Sequence, residues 1–254
     1  MTYRLFDPTG NITALVTELT AQKDRALTAS KVMACEPSVE QVGFYLPEVS
    51  GFDAGLEMAG GEFCGNASMS AAALTAIEAG VKPGEKRTVC LKVSGADGPV
   101  GVNLEALTES SFKGRVAMPK ALAIRQETIP GTDLTAPVVF LPGIAHALVP
   151  EGFGLEEAEK RLPLMCRDLG LEAMGMMLIN EEKETLTPLV YVKEVGTLVR
   201  ENSCASGTAS AGAFLAQREG RTVRQTFTEP GGCLTVEAHP DGRLFIEGRV
   251  TLLK

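Results

Sequence analysis

The sequence predicts a mixed α+β fold with two mostly β halves, each wrapped around one central helix. Short runs rich in Val, Leu and Thr, bounded by Gly, Pro and Asp, recur along the chain and are typical of strands. Two segments of small residues, 66–80 and 206–220, instead follow a helical pattern without a wide polar face, which indicates buried helices. The 254 residues are enough for one large domain or for two smaller ones.

The individual elements follow from the same patterns. Strands are predicted over 41–49, 87–95, 98–107, 114–119, 136–143, 174–180, 187–195 and 223–230, with a hairpin over 233–248. Helices are predicted from residue 20 to 34 and from 155 to 170, and Pro163 should kink or split the second. Gly80 and Gly220 should end the two buried helices, because glycine readily adopts the left-handed conformation of a helix C-terminus.

The two buried helices begin with similar segments, CGNASMSAAAL at Cys64 and CASGTASAGAF at Cys204, which lie 140 positions apart. This match predicts an internal duplication with pseudo-twofold symmetry, and chance similarity between two alanine-rich helices is the alternative. We place the first half at 1–119 and the second at 120–244, with a linker near 119–137. The last strand, 245–254, should return to the first half.

Composition excludes several functions. The net charge of −8 disfavours nucleic acid as a partner, since an acidic chain repels phosphates. No apolar run reaches the length of a membrane span, and the first residues do not resemble a signal peptide, so we expect a cytoplasmic protein. The six cysteines contain no CxxC pair, which disfavours a metal site, and should be free thiols. Cys35, Cys90 and Cys166 are expected to be small buried residues. No dinucleotide or pyridoxal phosphate motif is present, so no cofactor is expected.

A cysteine at a helix N-terminus has a specific chemical use. The unpaired N–H groups and the positive end of the helix dipole should lower the pKa of the thiol, and the same groups bind a carboxylate. With Cys64 and Cys204 both so placed, a substrate carboxylate could sit between two helix N-termini with one thiol on each face of its α-carbon. A thiolate would remove a proton from one face while a thiol returns one to the other, which inverts the carbon.

These segments resemble the diaminopimelate epimerase superfamily of pyridoxal-phosphate-independent racemases and epimerases. Cys-Gly-Asn at Cys64 is similar to the first cysteine motif of that family, and Cys-Ala-Ser-Gly at Cys204 to the second, with Ala205 in place of a glycine. PTGNITALV near the start resembles the Gly-Asn element, and LPGIAHALV and TEPGGCLTVEA resemble two turns of the second half. The resemblance implies the diaminopimelate epimerase-like fold, with two pseudo-symmetric mixed β-barrel halves, and extends over most of the chain.

The resemblance also implies roles for individual residues. Cys64 and Cys204 would be the catalytic acid and base. Asn11 would contact the substrate, and Glu201 would lie near its α-ammonium. The substrate carboxylate would be bound by the backbone N–H groups of Gly65, Asn66, Ala205 and Ser206. The alternative for Glu201 is a charge that complements the helix dipole. Neither a metal nor a cofactor is implied.

The substrate should be a single amino acid and not diaminopimelate. Ile144 replaces an asparagine of the family, and Gly175 or Met176 falls where another would lie, so a second charged amino-acid group would lose its partners. Met174, Met176 and Ile144 indicate a smaller or less polar side chain, although core packing is the alternative for the methionines. The segment GGEFCGN is similar to single-amino-acid racemases, including histidine racemases, and histidine is our first substrate.

Three other functions stay open from the sequence alone. The first is a proton-shifting isomerase of the same fold that acts on a non-amino carboxylic acid. The second is a protein that only binds a small carboxylate, and the third is a redox protein that cycles a Cys64–Cys204 disulfide. The sequence also leaves a homodimer open. The only binding partner that it predicts is the amino-acid substrate, a small molecule.

Overall fold

The computed structural model describes residues 1–193 and 196–254. It has a mixed α+β fold with a β-barrel, which confirms the predicted fold class at this level. The strands are β1 Tyr3–Pro8, β2 Thr13–Val16, β3 Gln41–Leu46, β4 Ala54–Met58, β5 Lys86–Val93, β6 Val100–Ala106, β7 Ser111–Met118, β8 Ala123–Thr128, β9 Thr135–Leu141, β10 Ile144–Pro150, β11 Ala173–Asn180, β12 Thr185–Val192, β13 Thr197–Arg200, β14 Val223–Glu229, β15 Gly232–Ala238 and β16 Leu244–Leu252. The helices are α1 Arg25–Cys35, α2 Gly65–Glu78, α3 Leu155–Asp168 and α4 Ala205–Glu219.

The chain divides into two compact units, one of residues 1–117 with 247–254 and the other of residues 118–246. Strand β16 crosses this division, so its first three residues belong to the second unit and the rest to the first. The domain boundaries predicted from the sequence, 119/120 and 244/245, stay a prediction, because compactness alone does not define an independently folding domain.

The first unit is a closed ring of strands. Its strand order is β1 to β7 followed by β16, and β16 also pairs with β1, which leaves no free edge. The pairs β2–β3 and β4–β5 are parallel, and the crossovers between them contain α1 and α2. Helix α2 packs against strands β1 to β6 and is buried over all but its last two residues, so it is the central helix of this barrel.

The second unit repeats this order of elements. Strands β9 to β12, β14 and β15 pair in the same sequence of antiparallel and parallel steps, with α3 and α4 in the two parallel crossovers. Strand β8 is added at the edge of β9, and β13 pairs with β12. Helix α4 packs against β9, β10, β11, β14 and β15. Helix α2, which follows Cys64, and helix α4, which follows Cys204, therefore occupy the same position in the order of elements of their units.

The two buried helices end as predicted. Gly80 has a φ of +73° after α2, and Gly220 has a φ of +66° after α4. The N–H of Gly80 donates to Ile77 O and that of Gly220 to Ala216 O, each at 2.9 Å. A side chain with a Cβ is strained in this left-handed conformation, which is the physical reason for glycine at both ends.

Several sequence predictions need correction. Helix α3 continues through Pro163 and is not split, because a single lost N–H donor is outweighed by the buried face that Leu162, Met165 and Cys166 form on either side of it. The kink at Pro163 stays a prediction. The expected linker contains strand β8, and the predicted first helix begins at Arg25 after one turn of 3₁₀-helix. Of the strand predicted over 187–195, the last two residues lie outside the described part of the chain.

The burial of the methionines and cysteines decides between the alternatives for these residues. Met174 and Met176 are fully buried in an apolar cluster beneath α3, together with Leu162, so core packing is their role and they carry no information on the substrate. Cys166 is buried, as expected of a structural cysteine, and Cys90 is half-buried, whereas Cys35 is exposed at the end of α1. Among the described residues, no helix has the length and apolar character needed to cross a bilayer.

Replacement of Gly212 by alanine tests how tightly α4 is enclosed. Alanine alone would favour the helix by about 1 kcal/mol, but a Cβ at Gly212 would lie 2.3 Å from Cγ2 of Val236 on β15. A branched side chain in a strand cannot rotate away, so we expect a net destabilisation of about 1–3 kcal/mol. Urea denaturation measures it.

The control is Gly101→Ala, since a Cβ there meets no atom within 4 Å. The double variant Gly212→Ala, Val236→Ala should recover part of the lost stability, because the second change removes the clashing methyl groups. A Gly212→Ala protein as stable as Gly101→Ala would show that the helix is loosely packed.

Candidate active site

Cys64 is the N-cap residue of α2. Its backbone is extended, with φ −131° and ψ 116°, and its Sγ accepts a hydrogen bond of 3.3 Å from the N–H of Ala67. The thiol also donates to Oε1 of Gln41, the first residue of β3. Gly65 and Asn66, the first two residues of α2, are buried, and their N–H groups have no carbonyl partner within the helix.

Asn11 joins this group through the residue before Gln41. Its side chain is fully buried, and its Nδ2 donates to Oε2 of Glu40 at 3.0 Å. The backbone N–H of Glu40 donates to Ile12 O at 2.9 Å, which fixes the start of β3 beside the Asn11 segment. Two consecutive residues, Glu40 and Gln41, thus contact Asn11 and Cys64 respectively, so the structure brings these two predicted site residues into one network.

Cys204 is the N-cap residue of α4 and is more deeply buried than Cys64. It has φ −134° and ψ 100°, and its Sγ lies 3.5 Å from Oγ of Ser206. Ala205 and Ser206 are the first two residues of α4. The N–H of Cys204 donates to Oε2 of Glu229 at 2.7 Å, and the Thr208 hydroxyl donates to the other oxygen of the same carboxyl.

The pKa of the Cys204 thiol is raised well above its usual value, which corrects the expectation that the helix N-terminus would lower it. Burial is the largest cause, because a thiolate would lose its hydration. The negative charge and hydrogen bond of Glu201, together with the charge of Glu229, act in the same direction, while Ser206 opposes them. At neutral pH this cysteine is therefore a thiol. Glu201, one of the predicted site residues, lies close enough to act on it.

Glu229 is a buried carboxyl that the sequence did not identify. Burial raises its pKa to about 8, and the nearby charge of Glu201 adds to the shift. The hydrogen bonds from Thr208 and from the N–H of Cys204 partly offset it, since both stabilise the ionised form. The carboxyl thereby fixes the backbone of Cys204 at the start of α4.

His146 lies on the other side of the α4 N-terminus. It is fully buried on β10, and its Nε2 is 2.9 Å from Oγ of Ser206. Burial lowers its pKa to about 3, so it is neutral near pH 7. The ring fits because its strand partner is Gly175, where a Cβ would lie 2.3 Å from His146 Nδ1. Gly207 in the first turn of α4 accommodates Met177, whose Sδ would be 2.1 Å from a Cβ there.

Sequence reasoning therefore found the two cysteines and the residues next to them but missed three of their neighbours. Gln41 was seen only as the start of a strand, and His146 and Glu229 only as parts of two turns. The one available signal was a glutamate directly before Pro-Gly-Gly in a segment that carries buried strands. Among residues 1–193 and 196–254, no group of three or more His, Cys, Asp or Glu side chains could hold a metal ion.

The fold is shared with solved structures of low sequence identity. A structure described as a predicted epimerase from Pseudomonas aeruginosa superposes with a TM-score of 0.74 and 16% identity, over 99% of this chain and 96% of that one. A probable proline racemase from Agrobacterium radiobacter gives a TM-score of 0.70 and 15% identity, over 99% and 92% of the two chains. These two structures therefore share the fold of this chain.

The chain belongs to the histidine racemase CntK family. The family model, described as the histidine racemase CntK N-terminal domain, matches residues 1–252. A histidine racemase of Fusobacterium nucleatum is 30% identical over 258 residues, which cover 97% of this chain and 92% of that protein. One from Staphylococcus aureus is 31% identical over 260 residues, with 97% and 93% covered. The predicted superfamily is confirmed, and so is the prediction of an amino-acid racemase, an isomerase.

Replacement of Glu229 by glutamine tests the buried carboxyl. Because its pKa is about 8 in the folded protein against an ordinary 4.5, the folded protein holds a proton that the unfolded chain releases between these values. The stability that the carboxyl contributes is complete below the lower value and is lost as the pH rises through the higher one. We expect the unfolding free energy of the unmodified protein, relative to Glu229→Gln, to fall by a few kcal/mol from about pH 5 to about pH 9.

Urea denaturation across this pH range measures the difference. Glu156→Gln is the matched control, since Glu156 is exposed on α3. The difference in unfolding free energy between this variant and the unmodified protein should not change with pH over this range. A flat difference for Glu229→Gln as well would contradict a buried carboxyl of raised pKa.

Proposed function

We propose that this chain racemises free histidine with Cys64 and Cys204 as the two acid/base groups and without a cofactor. Family membership and the names of the two curated relatives support the substrate. The observation that carries the mechanism is that each cysteine is the N-cap residue of a buried helix. The Cys64 sulfur accepts from the N–H of Ala67, and the Cys204 sulfur lies 3.5 Å from the Ser206 hydroxyl. Such groups stabilise negative charge on a substrate carboxylate.

The environments of the two thiols favour different starting states. The raised pKa of Cys204 favours the protonated thiol, which can donate. Cys64 would then start as the thiolate, which accepts the α-proton of the substrate while Cys204 donates its own proton to the opposite face. The reaction leaves Cys64 as the thiol and Cys204 as the thiolate, so the enantiomer runs the same steps in reverse. Both thiols must therefore act on one α-carbon.

The remaining site residues would hold the substrate. The N–H groups of the first two residues of each buried helix would bind the α-carboxylate, and these residues are Gly65, Asn66, Ala205 and Ser206. Glu201 carries a negative charge close to Cys204, which suits an α-ammonium. Asn11, buried and held by Glu40, would supply a further polar contact to the substrate.

The same proposal includes an internal duplication, with two pseudo-symmetric barrel halves, each around a central helix. Its support is the repeated order of strand pairs and crossover helices in the two compact units. We also infer a cytoplasmic location, where all six cysteines would stay reduced. A homodimer is possible under the same proposal, and sedimentation would measure the oligomeric state.

Exchange of the histidine α-proton in deuterated water tests the mechanism. NMR with reductant present should show exchange and inversion of L- and D-histidine, and Cys64→Ser and Cys204→Ser should each slow them by at least about 100-fold, because a hydroxyl is a far weaker base than a thiolate. A panel of other single amino acids tests the substrate.

The matched controls are Cys35→Ser and Cys233→Ser, which replace exposed cysteines and should keep full activity. Exchange on another amino acid but not histidine would refute the substrate and keep the mechanism. No exchange on any amino acid would refute racemisation and favour an isomerase of non-amino acids or a carboxylate-binding protein.

Gln41 should support both protonation states of Cys64, because its amide can accept from the thiol or donate to the thiolate. Gln41→Leu removes both bonds, and we expect about 10-fold lower kcat for exchange, in line with the loss of one hydrogen bond to a charged group. Gln41→Glu places a second negative charge beside the thiolate and should raise the pKa in the pH profile of kcat/KM.

The control is Gln126→Leu, an exposed glutamine of β8. If Gln41→Glu left the pH profile of kcat/KM unchanged, Gln41 would not contact the ionising thiol.

A further inference from the structure

The second unit contains a cavity of about 570 Å³ that the proposed racemisation does not use. It lies between α4 and the ends of strands β9, β10 and β11. Its apolar wall includes Leu148, Ile179, Phe214, Leu215 and Phe227. The volume lies within the range of pockets that bind small molecules, and such pockets are mostly apolar with a few polar groups.

This cavity is separate from the site around Cys204. The α4 residues that line it are Ala211, Phe214 and Leu215, which follow the cysteine by two to three helical turns. At 1.5 Å of rise per residue, Phe214 lies about 15 Å along the helix axis from Cys204. A ligand in the cavity would therefore not contact the thiol or the N–H groups at the start of α4.

Charge at the rim of the cavity has one sign. Three glutamates, Glu151, Glu181 and Glu182, line it, and no lysine or arginine does. Glu181 is held by Arg218, with hydrogen bonds of 2.8 and 2.7 Å. Glu151 accepts from the Asn180 side chain at 2.9 Å and from the Lys183 ammonium at 3.5 Å.

Glu182 differs from the other two carboxylates. Within residues 1–193 and 196–254 it has no hydrogen bond or ion pair, so its charge is available to a ligand. The aromatic wall already accommodates a cation, because the guanidinium of Arg218 lies 5.6 Å from the ring centre of Phe214. Aromatic faces and a free carboxylate are both complementary to a cationic group.

We propose that this cavity binds a small amphipathic amine, with an apolar or aromatic body between α4 and the strands and a protonated amino group at Glu182. The apolar wall selects the body of such a ligand, and the rim favours a positive over a negative charge. A carboxylate of the same size would meet the uncompensated negative charge of Glu182 and is disfavoured. The site is independent of the proposed reaction at Cys64 and Cys204.

The probe is 2-phenylethylamine, compared with 2-phenylethanol and 3-phenylpropionate, which have similar bodies but neutral and negative ends. Titration of the full-length protein is followed through the ¹³C-methyl NMR signals of Ile179 and Leu148. We expect saturable shifts at both residues with a Kd of about 10 mM or tighter for the amine, weaker binding of the alcohol and the weakest binding of the carboxylate.

Two variants make the test specific. Glu182→Gln should weaken binding of the amine about twofold to fivefold, as expected of an exposed ion pair, and leave the alcohol unchanged. Glu156→Gln is its control, because Glu156 is exposed and does not line the cavity. Ala211→Leu should fill the space and abolish binding of all three probes, with folding checked by circular dichroism.

Binding of the three probes with equal affinity would overturn the proposal, and so would the absence of saturable shifts at Ile179 and Leu148. If Ala211→Leu does not fold, the test rests on Glu182→Gln and its control. An unchanged affinity of Glu182→Gln for the amine would then overturn the proposal. Histidine exchange is measured on the Glu182→Gln protein as a check that the molecule is intact.

Discussion

The enclosure of a helix by a ring of strands is the constraint on which the rest of this structure depends. A helix inside a small barrel must be thin, so α2 consists largely of Ala, Ser and Gly, and α4 approaches β15 so closely that Gly212 has no room for a Cβ. Enclosure also removes water from the helix N-terminus. In both units the residue that precedes this helix is a cysteine.

The same constraint gives the two thiols different surroundings. Cys64 is half-buried, and its sulfur accepts from a backbone N–H and donates to the neutral Gln41 amide, which can accept from the thiol or donate to the thiolate. Cys204 is buried among carboxylates, and Glu229 holds its backbone while burial keeps the thiol protonated. Two segments of similar sequence thus meet different neighbours, and for a proton transfer with one donor and one acceptor this difference is useful.

The sequence was sufficient for features that depend on neighbouring residues. The buried helices, their ends at Gly80 and Gly220, and the cysteines at their starts all follow from local composition and spacing. The contact of Glu229 with Cys204 could not be found in this way, because it joins residues 25 positions apart in the sequence. Strand β2 was missed for another reason, since its four residues are all buried and show no alternation.

Strand β16 has a consequence for the order in which the molecule can form during translation. The ring of the first unit stays open until β16 fills the gap between β7 and β1, and the ribosome makes that strand only after the whole second unit. Until then β1 and β7 expose unpaired edges, while α2 lies in an incomplete enclosure. The elements of the second unit are therefore all synthesised before the ring of the first unit can close, and the nascent chain would need protection from association with other chains during that interval.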